Sequence, residues 1–492
     1  MVTLSTSRLL LSVRVAASRC SPIYAVVRNR HEAGEKTAGD YKRKSRLADL
    51  NALLSLVRPM VATLAPSPAS ASRPRTLALL KDPALRGALA LMLSAVAAGG
   101  LSYVFWSLIA HHQNASGLGS VAAEVSSITF LASVASLNLI NVFARFLPEA
   151  GWNARRLILT SYGGAALAGL VAAGIFLLTP LATVVLGGGL GRLAFAVCVV
   201  LTSVFMIQDG GLIGFGRATW VPVENILVAS ARLALLPLAV TFLSARIGVL
   251  WSWAVPMAAS VFVVNALIIG RLAGQHAEQR PTLPRAGDLG RFVAIESVTT
   301  AIAASVSAFL PALVTHRLGA SQGGYFYVPW IIATMVSALL ASILITMVRE
   351  VVANPGKANF TIRRSTGLAL IVVIGATTIC SFLSGLLLGP LGPAFVAYGA
   401  PLLRWVGLAV PATAINLLFW ATCLVRRRPW PVFALNLTTS GAIIGGVMLL
   451  GSSDNISRVG TIYCTVQWLI AVVVAIPTIM ALRVIRRPQE SR

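Results

Sequence analysis

Apolar stretches of about twenty residues recur from Leu91 almost to the C-terminus. Each can cross about 30 Å of hydrocarbon at about 1.5 Å per helical residue. In lipid the backbone must satisfy its own polar groups, so the stretches read as helices. Composition agrees: 57% of residues are apolar, 11% are charged, and mean hydropathy is +0.82. Soluble domains carry about 25% charged residues. The chain therefore reads as an all-α polytopic membrane protein.

About twelve spans are expected, near 87–110, 119–144, 157–179, 191–208, 222–244, 247–270, 291–314, 324–347, 365–388, 401–424, 430–450 and 458–482. Pro180, Pro256, Pro311, Pro390, Pro411 and Pro431 fall inside or beside them. Proline is tolerated there when neighbouring helices satisfy the carbonyls it frees. Trp106, Trp152, Trp220, Trp330 and Trp430 lie near span ends, where an aromatic belt accounts for them.

The net charge of +25 invites a nucleic-acid reading, but the positive residues lie between apolar segments. With the N-terminus inside, the inner loops and the C-terminal tail hold nineteen Lys and Arg, against three in the outer loops (Arg246, Arg317 and Arg458). A missed span would invert the pattern beyond the error, so the bias supports an even number of spans with both termini cytoplasmic. No nucleic-acid partner is expected. Residues 1–86 carry fifteen of the forty Lys and Arg and the stretch Ala65-Pro66-Ser67-Pro68. They read as a basic, disordered cytoplasmic tail, or as an over-long gene start.

Two segments repeat about 205 residues apart. His111, Ala115, Ser116 and Gly119 align with His316, Ala320, Ser321 and Gly324, and a one-residue slip then aligns Arg145 with Arg349. Each segment joins the first two spans of a six-helix half. An even number of spans lies between them, so the halves run parallel, as in transporters built on an axis along the membrane normal. The organisation is then tail 1–86, first bundle 87–270, linker 271–290, second bundle 291–482 and tail 483–492.

Ionisable groups inside hydrocarbon are costly, so each is a candidate for function. Arg232 lies about ten residues into span five, near the midplane, as a ligand for an anion or half of a structural ion pair. Glu124 lies near the outer end of span two, and Glu224 and Glu296 near the inner ends of spans five and seven. Each is a candidate for pairing with Arg232 or for coupling to a proton or cation; interfacial snorkelling is the plainer reading. Asp209 and Arg217 fall in the expected loop after span four, as a loop salt bridge or helix cap.

Several signatures are missing. There is no GxxxxGK(S/T), no HExxH and no CxxC, and Cys20, Cys198, Cys380, Cys423 and Cys464 form neither a zinc pattern nor a disulfide framework. The first outer loop, His111 to Leu118, has no acidic pair. Enzyme chemistry and cofactors are not expected.

The order of features resembles the polysaccharide and lipid-linked oligosaccharide flippases of the MOP (multidrug/oligosaccharidyl-lipid/polysaccharide) exporter superfamily. The similarity runs over roughly residues 84–484. It is carried by Gly100-Leu101-Ser102-Tyr103 through Ala115-Ser116-Gly117-Leu118-Gly119, by Asn141-Val142-Phe143-Ala144-Arg145-Phe146-Leu147-Pro148, by Gln208-Asp209-Gly210-Gly211 through Arg217, and by Phe309-Leu310-Pro311-Ala312-Leu313-Val314. The resemblance implies two bundles around a central cavity, alternating access, the plasma membrane, and a polyprenyl-phosphate-linked glycan as substrate, with glycan-synthesis membrane proteins nearby. On that implication Arg232 faces the phosphate and Arg145 sits at the cytoplasmic mouth. Glu124, Glu224 and Glu296 are the candidates for ion coupling. A drug or metabolite exporter of the same superfamily, which would have an acidic cavity, is the alternative, and an enzyme acting on lipid-linked glycans a more distant one.

Overall fold

The computed structural model describes residues 83–186, 191–275, 297–451 and 455–486. Nearly all of the expected N-terminal tail, most of the linker, and Glu296 lie outside them. Among the described residues every long element is helical. Twelve long helices follow in order: α1 (Pro83–His112), α2 (Ala115–Ala135), α3 (Ala154–Leu177), α4 (Arg192–Gly214), α5 (Trp220–Phe242) and α6 (Ala245–Leu267), then α7 (Ser297–Leu318), α8 (Ala320–Ala353), α9 (Ala358–Phe382), α10 (Pro393–Val425), α11 (Pro429–Met448) and α12 (Ile456–Arg486). Eleven of them, α2 to α12, are long and apolar enough to cross a membrane, and α1 adds thirty residues. Most expected boundaries hold to within several residues, but α9 and α10 begin earlier than expected, at Ala358 and Pro393 in place of 365 and 401. α12 absorbs the first residues of the expected C-terminal tail.

In the first bundle α4 is central, packed against α2, α3 and α6, while α5 lies between α6 and α1. In the second, α10 is central, against α8, α9 and α12. Many large apolar side chains remain exposed, including Phe262 at 72% and Val473 at 73%, as expected of helices whose outer faces meet lipid.

Pro311 shows how a proline is accommodated. It has no N–H to donate to the Ser307 carbonyl. The preceding turn, Ser305–Phe309, widens to a π-helix, and Trp330 Nε1 on α8 donates to that carbonyl at 3.1 Å.

Two expectations need correction. Span two is not one helix: it breaks after α2, where Leu137 and Asn138 have φ of 47° and 50°, and resumes as the short helix Leu139–Phe146. Asn tolerates this left-handed conformation, and Asn138 Oδ1 accepts from Asn141 Nδ2 at 3.0 Å. The stretch after span four is helix, not loop, as far as Gly214. Its glycines serve packing: a Cβ at Gly210 or Gly214 would lie 2.5 Å from the carbonyl oxygen of Ile140 or Phe143. The turn reading failed because glycine in membrane helices lets backbones approach closely.

The halves meet through α1 and α2 against α7 and α8. Trp106 and Tyr327 pack with ring centroids 4.5 Å apart, and Phe130 and Phe309 at 4.9 Å. The repeat lies at this seam. A Cβ on Gly119 would fall 1.9 Å from the Ala320 carbonyl oxygen, and one on Gly324 would fall 2.0 Å from that of Ala115. Residues aligned by sequence thus touch each other reciprocally, as a two-fold relation between the halves requires.

Candidate transport cavity and its polar neighbours

α1, α2, α4, α5 and α6 enclose a cavity of about 480 Å³ in the first bundle, with Tyr327 of α8 also in its wall. Phe105, Trp106, Phe205 and Trp253 make much of the surface aromatic. Arg232 is the one charged residue lining it among the described residues. Asn225, Ala229 and Arg232 are spaced i, i+4 and i+7 on α5, so one helical face delivers all three. The Arg232 guanidinium lies 4.9 Å from the Trp253 ring centroid, and its Nε donates to the Trp253 carbonyl at 3.1 Å. Among the described residues its Nη1 and Nη2 groups make no hydrogen bond to protein.

Glu124 is not in this cavity. It is fully buried and ion-paired with Arg246, whose Nη2 lies 2.9 Å from Glu124 Oε2. Arg246 also donates to the Val185 carbonyl at 2.6 Å, so the pair ties α2, α6 and the short helix Pro180–Leu186 together. The pair spans 122 residues of sequence.

Glu224 lies next to the cavity in sequence but points elsewhere. It is buried and accepts from Gln208 Nε2 and from Ser260 Oγ, the latter at 2.5 Å. Asn265 Nδ2 donates to Gln208 Oε1 at 2.8 Å, and Tyr162 hydroxyl donates to Asn265 Oδ1 at 2.5 Å. Four helices thus contribute to one polar chain. Glu224 Oε2 remains buried without a partner, as does Asp209 Oδ1. Asp209 is a residue of α4 and not part of a loop, while Arg217 lies 5.6 Å from the Trp220 ring centroid. Glu224 and Ser260 also floor an apolar groove of about 510 Å³ between α5 and α6, whose rims Val223, Leu227 and Val263 are exposed.

Arg145 is exposed near the end of the short helix Leu139–Phe146, 5.2 Å from the Phe146 ring centroid, and does not line the cavity. Trp152, Trp220 and Trp430 are exposed as an interfacial belt requires, but Trp106 and Trp330 are at most 4% exposed. Those two belong to the interior, a role that position near a span end cannot reveal.

A second cavity of about 480 Å³ lies in the second bundle, among α7, α8, α10, α11 and α12. Ten hydroxyl- or amide-bearing side chains line it, together with Trp330 and Trp420, and no charged residue does. Sequence reading missed it because Ser, Thr, Asn and Gln are not flagged as ionisable groups are. Asn416 with Gln467, a buried amide pair across two spans, was the available signal.

No known family profile matches the chain, and no curated protein does. Solved structures do. The inward-facing conformation of a multidrug resistance MATE family transporter of the MOP superfamily matches at 13% identity and TM-score 0.58, covering 82% of this chain and 99% of that one. An outward-facing conformation of such a transporter matches at 13% and 0.56, covering 84% and 98%. A MOP superfamily transporter from Pyrococcus furiosus, described as having a binding pocket of reverse polarity that suggests a different function, matches at 11% and 0.54, covering 85% and 100%. These likenesses and the reciprocal packing of the repeat agree: the chain has the fold of the MATE transporters of the MOP superfamily.

Proposed function

We propose that this chain is a MOP-superfamily transporter that flips a lipid-linked oligosaccharide or polysaccharide precursor across the plasma membrane by alternating access. The observation that carries the reading is Arg232. It is the one charge lining the first-bundle cavity among the described residues, with both terminal amino groups turned to no protein acceptor. A guanidinium stays charged even when partly buried, and its planar fork matches two phosphate oxygens. The reading assigns the pyrophosphate or phosphate to Arg232 and leaves the polyprenyl tail in lipid.

Glu224 is the acid we assign to ion coupling. It has an unpartnered oxygen, and its neighbour Asn225 lines the Arg232 cavity, so a change at Glu224 is transmitted within α5. Glu124 is already committed to Arg246.

A drug or metabolite exporter is the second reading. The names of the similar multidrug transporters favour it, as do the aromatic walls around Arg232. The pocket described as reversed in polarity is a precedent, within this fold, for a charge unlike that of its relatives. A flipping assay in proteoliposomes with a fluorescent polyprenyl-pyrophosphate oligosaccharide separates the two. Arg232→Gln should slow flipping by roughly 10- to 100-fold, the loss of about 1.5–3 kcal/mol for a hydrogen bond to a charged group. Equal rates would remove Arg232 from the mechanism and favour the exporter.

A further inference from the structure

We infer that the second-bundle cavity is a subsite for an uncharged, hydroxyl-rich group, the glycan portion of the same substrate whose anion Arg232 holds. The inference rests on the proposed function and adds a second point of recognition.

The lining is the first argument. A cavity inside hydrocarbon that carries many polar groups and no charge is costly unless something polar fills it. Several hydroxyls here are already satisfied by their own helices: Thr334 donates to Ile331 O, Ser337 to Ala333 O and Thr439 to Leu435 O. Such hydroxyls retain free acceptor lone pairs. Asn416 is different. Its Nδ2 is spent on Gln467, at 2.7 Å to Oε1 and 3.2 Å to the carbonyl, while its Oδ1 is buried without a partner. The residue is 7% exposed, so bulk water does not serve that oxygen. The lone pairs of the hydroxyls, in a lining without charge, suit a ligand that donates hydroxyl hydrogens and carries no net charge. Trp330 and Trp420 add flat apolar surface for the C–H faces of such a ligand.

Position is the second argument. Tyr327 lines the first cavity and Thr334 the second. They are seven residues apart on α8, which is two turns: the same helix face, about 10 Å apart along the axis. One helix face thus serves both cavities at a separation that a phosphate and its attached sugars can bridge.

The test uses the full-length protein in nanodiscs and three probes. These are citronellyl diphosphate, citronellyl diphosphate carrying a disaccharide, and octyl maltoside, which has a disaccharide and no anion. The sugar should tighten binding of the diphosphate by about tenfold in the wild type, the yield of one or two added neutral hydrogen bonds. Asn416→Leu should abolish that increment and leave citronellyl diphosphate unchanged. Thr439→Val, nearly isosteric on a helix edge, should reduce the increment if Asn416→Leu fails to fold. Arg232→Gln should weaken both diphosphates and spare octyl maltoside. An increment unchanged in both second-bundle variants, or absent from the wild type, overturns the subsite. Loss of the Arg232 effect with the sugar increment intact overturns the proposed anion site instead.

Discussion

Substituting alanine for Gly119 tests the seam between the two halves directly. Its Cβ would stand 1.9 Å from the Ala320 carbonyl oxygen and 2.6 Å from the Gly324 nitrogen. Both are backbone atoms and cannot swing aside. A normal carbon–oxygen contact is about 3.3–3.6 Å, so α2 and α8 must part by roughly 1.5 Å. A gap of 0.5–1 Å already forfeits about a quarter to a half of a dispersion contact, and overpacked sites typically cost about 1–3 kcal/mol. The expected loss is about 2–3 kcal/mol. At about 2.1 cal/mol/K of unfolding entropy per residue, a chain of this length loses only about 1 °C per kcal/mol, so the melting temperature should fall by roughly 2–3 °C. Buried Cys198, Cys380, Cys423 and Cys464 supply the readout: a maleimide dye reports their exposure on heating, in a Cys20→Ser background. Gly174→Ala is the control, because a Cβ there meets nothing within 4 Å. Gly324→Ala should match Gly119→Ala, since its Cβ would lie 2.0 Å from the Ala115 carbonyl oxygen. The double variant should cost clearly less than the sum, because one separation relieves both clashes. Equal melting of Gly119→Ala and Gly174→Ala, or full additivity of the pair, would refute the reciprocal crossing.

Glu124→Gln should destabilise the protein by roughly 3 kcal/mol, because it strands Arg246 beside a desolvated partner; Glu124→Gln with Arg246→Gln should recover much of the loss in the same melting assay. Glu224 should be labelled by dicyclohexylcarbodiimide, an apolar reagent that can enter the α5–α6 groove, and far less by a water-soluble carbodiimide; peptide mapping that finds the label elsewhere would count against this access route. Glu224→Gln should leave binding of citronellyl diphosphate near the wild-type value yet remove any dependence of flipping on a proton or sodium gradient. Retained gradient dependence would discharge Glu224 from coupling.

The all-helical class and the succession of long apolar helices were legible without coordinates, because they depend on local composition. A stretch of apolar residues must be a helix in lipid whatever surrounds it. The Ala115–Gly119 and Ala320–Gly324 pairs were legible too, although only their similarity was visible and not their contact. Other features resisted for stated reasons. Gly210 and Gly214 look alike as turn residues and as packing residues, and only the approach of the Leu139–Phe146 helix separates the two. Glu124 read as a candidate for pairing or for coupling, and Arg246 could not be named as its partner because it lies 122 residues away.

What the amino-acid order determined by itself was hydrophobicity and charge along the chain, and therefore which stretches are helices long and apolar enough to cross a membrane and which charges fall within them. What only tertiary structure decided was pairing across distance: Arg246 taken by Glu124, Arg232 set against Trp253 in a cavity wall, Glu224 tied into a four-helix polar chain, and neutral side chains gathered into a second cavity. The reason is physical. Burial of an apolar helix is decided residue by residue against lipid. The satisfaction of a polar atom depends on which other helix brings a partner within about 3 Å of it.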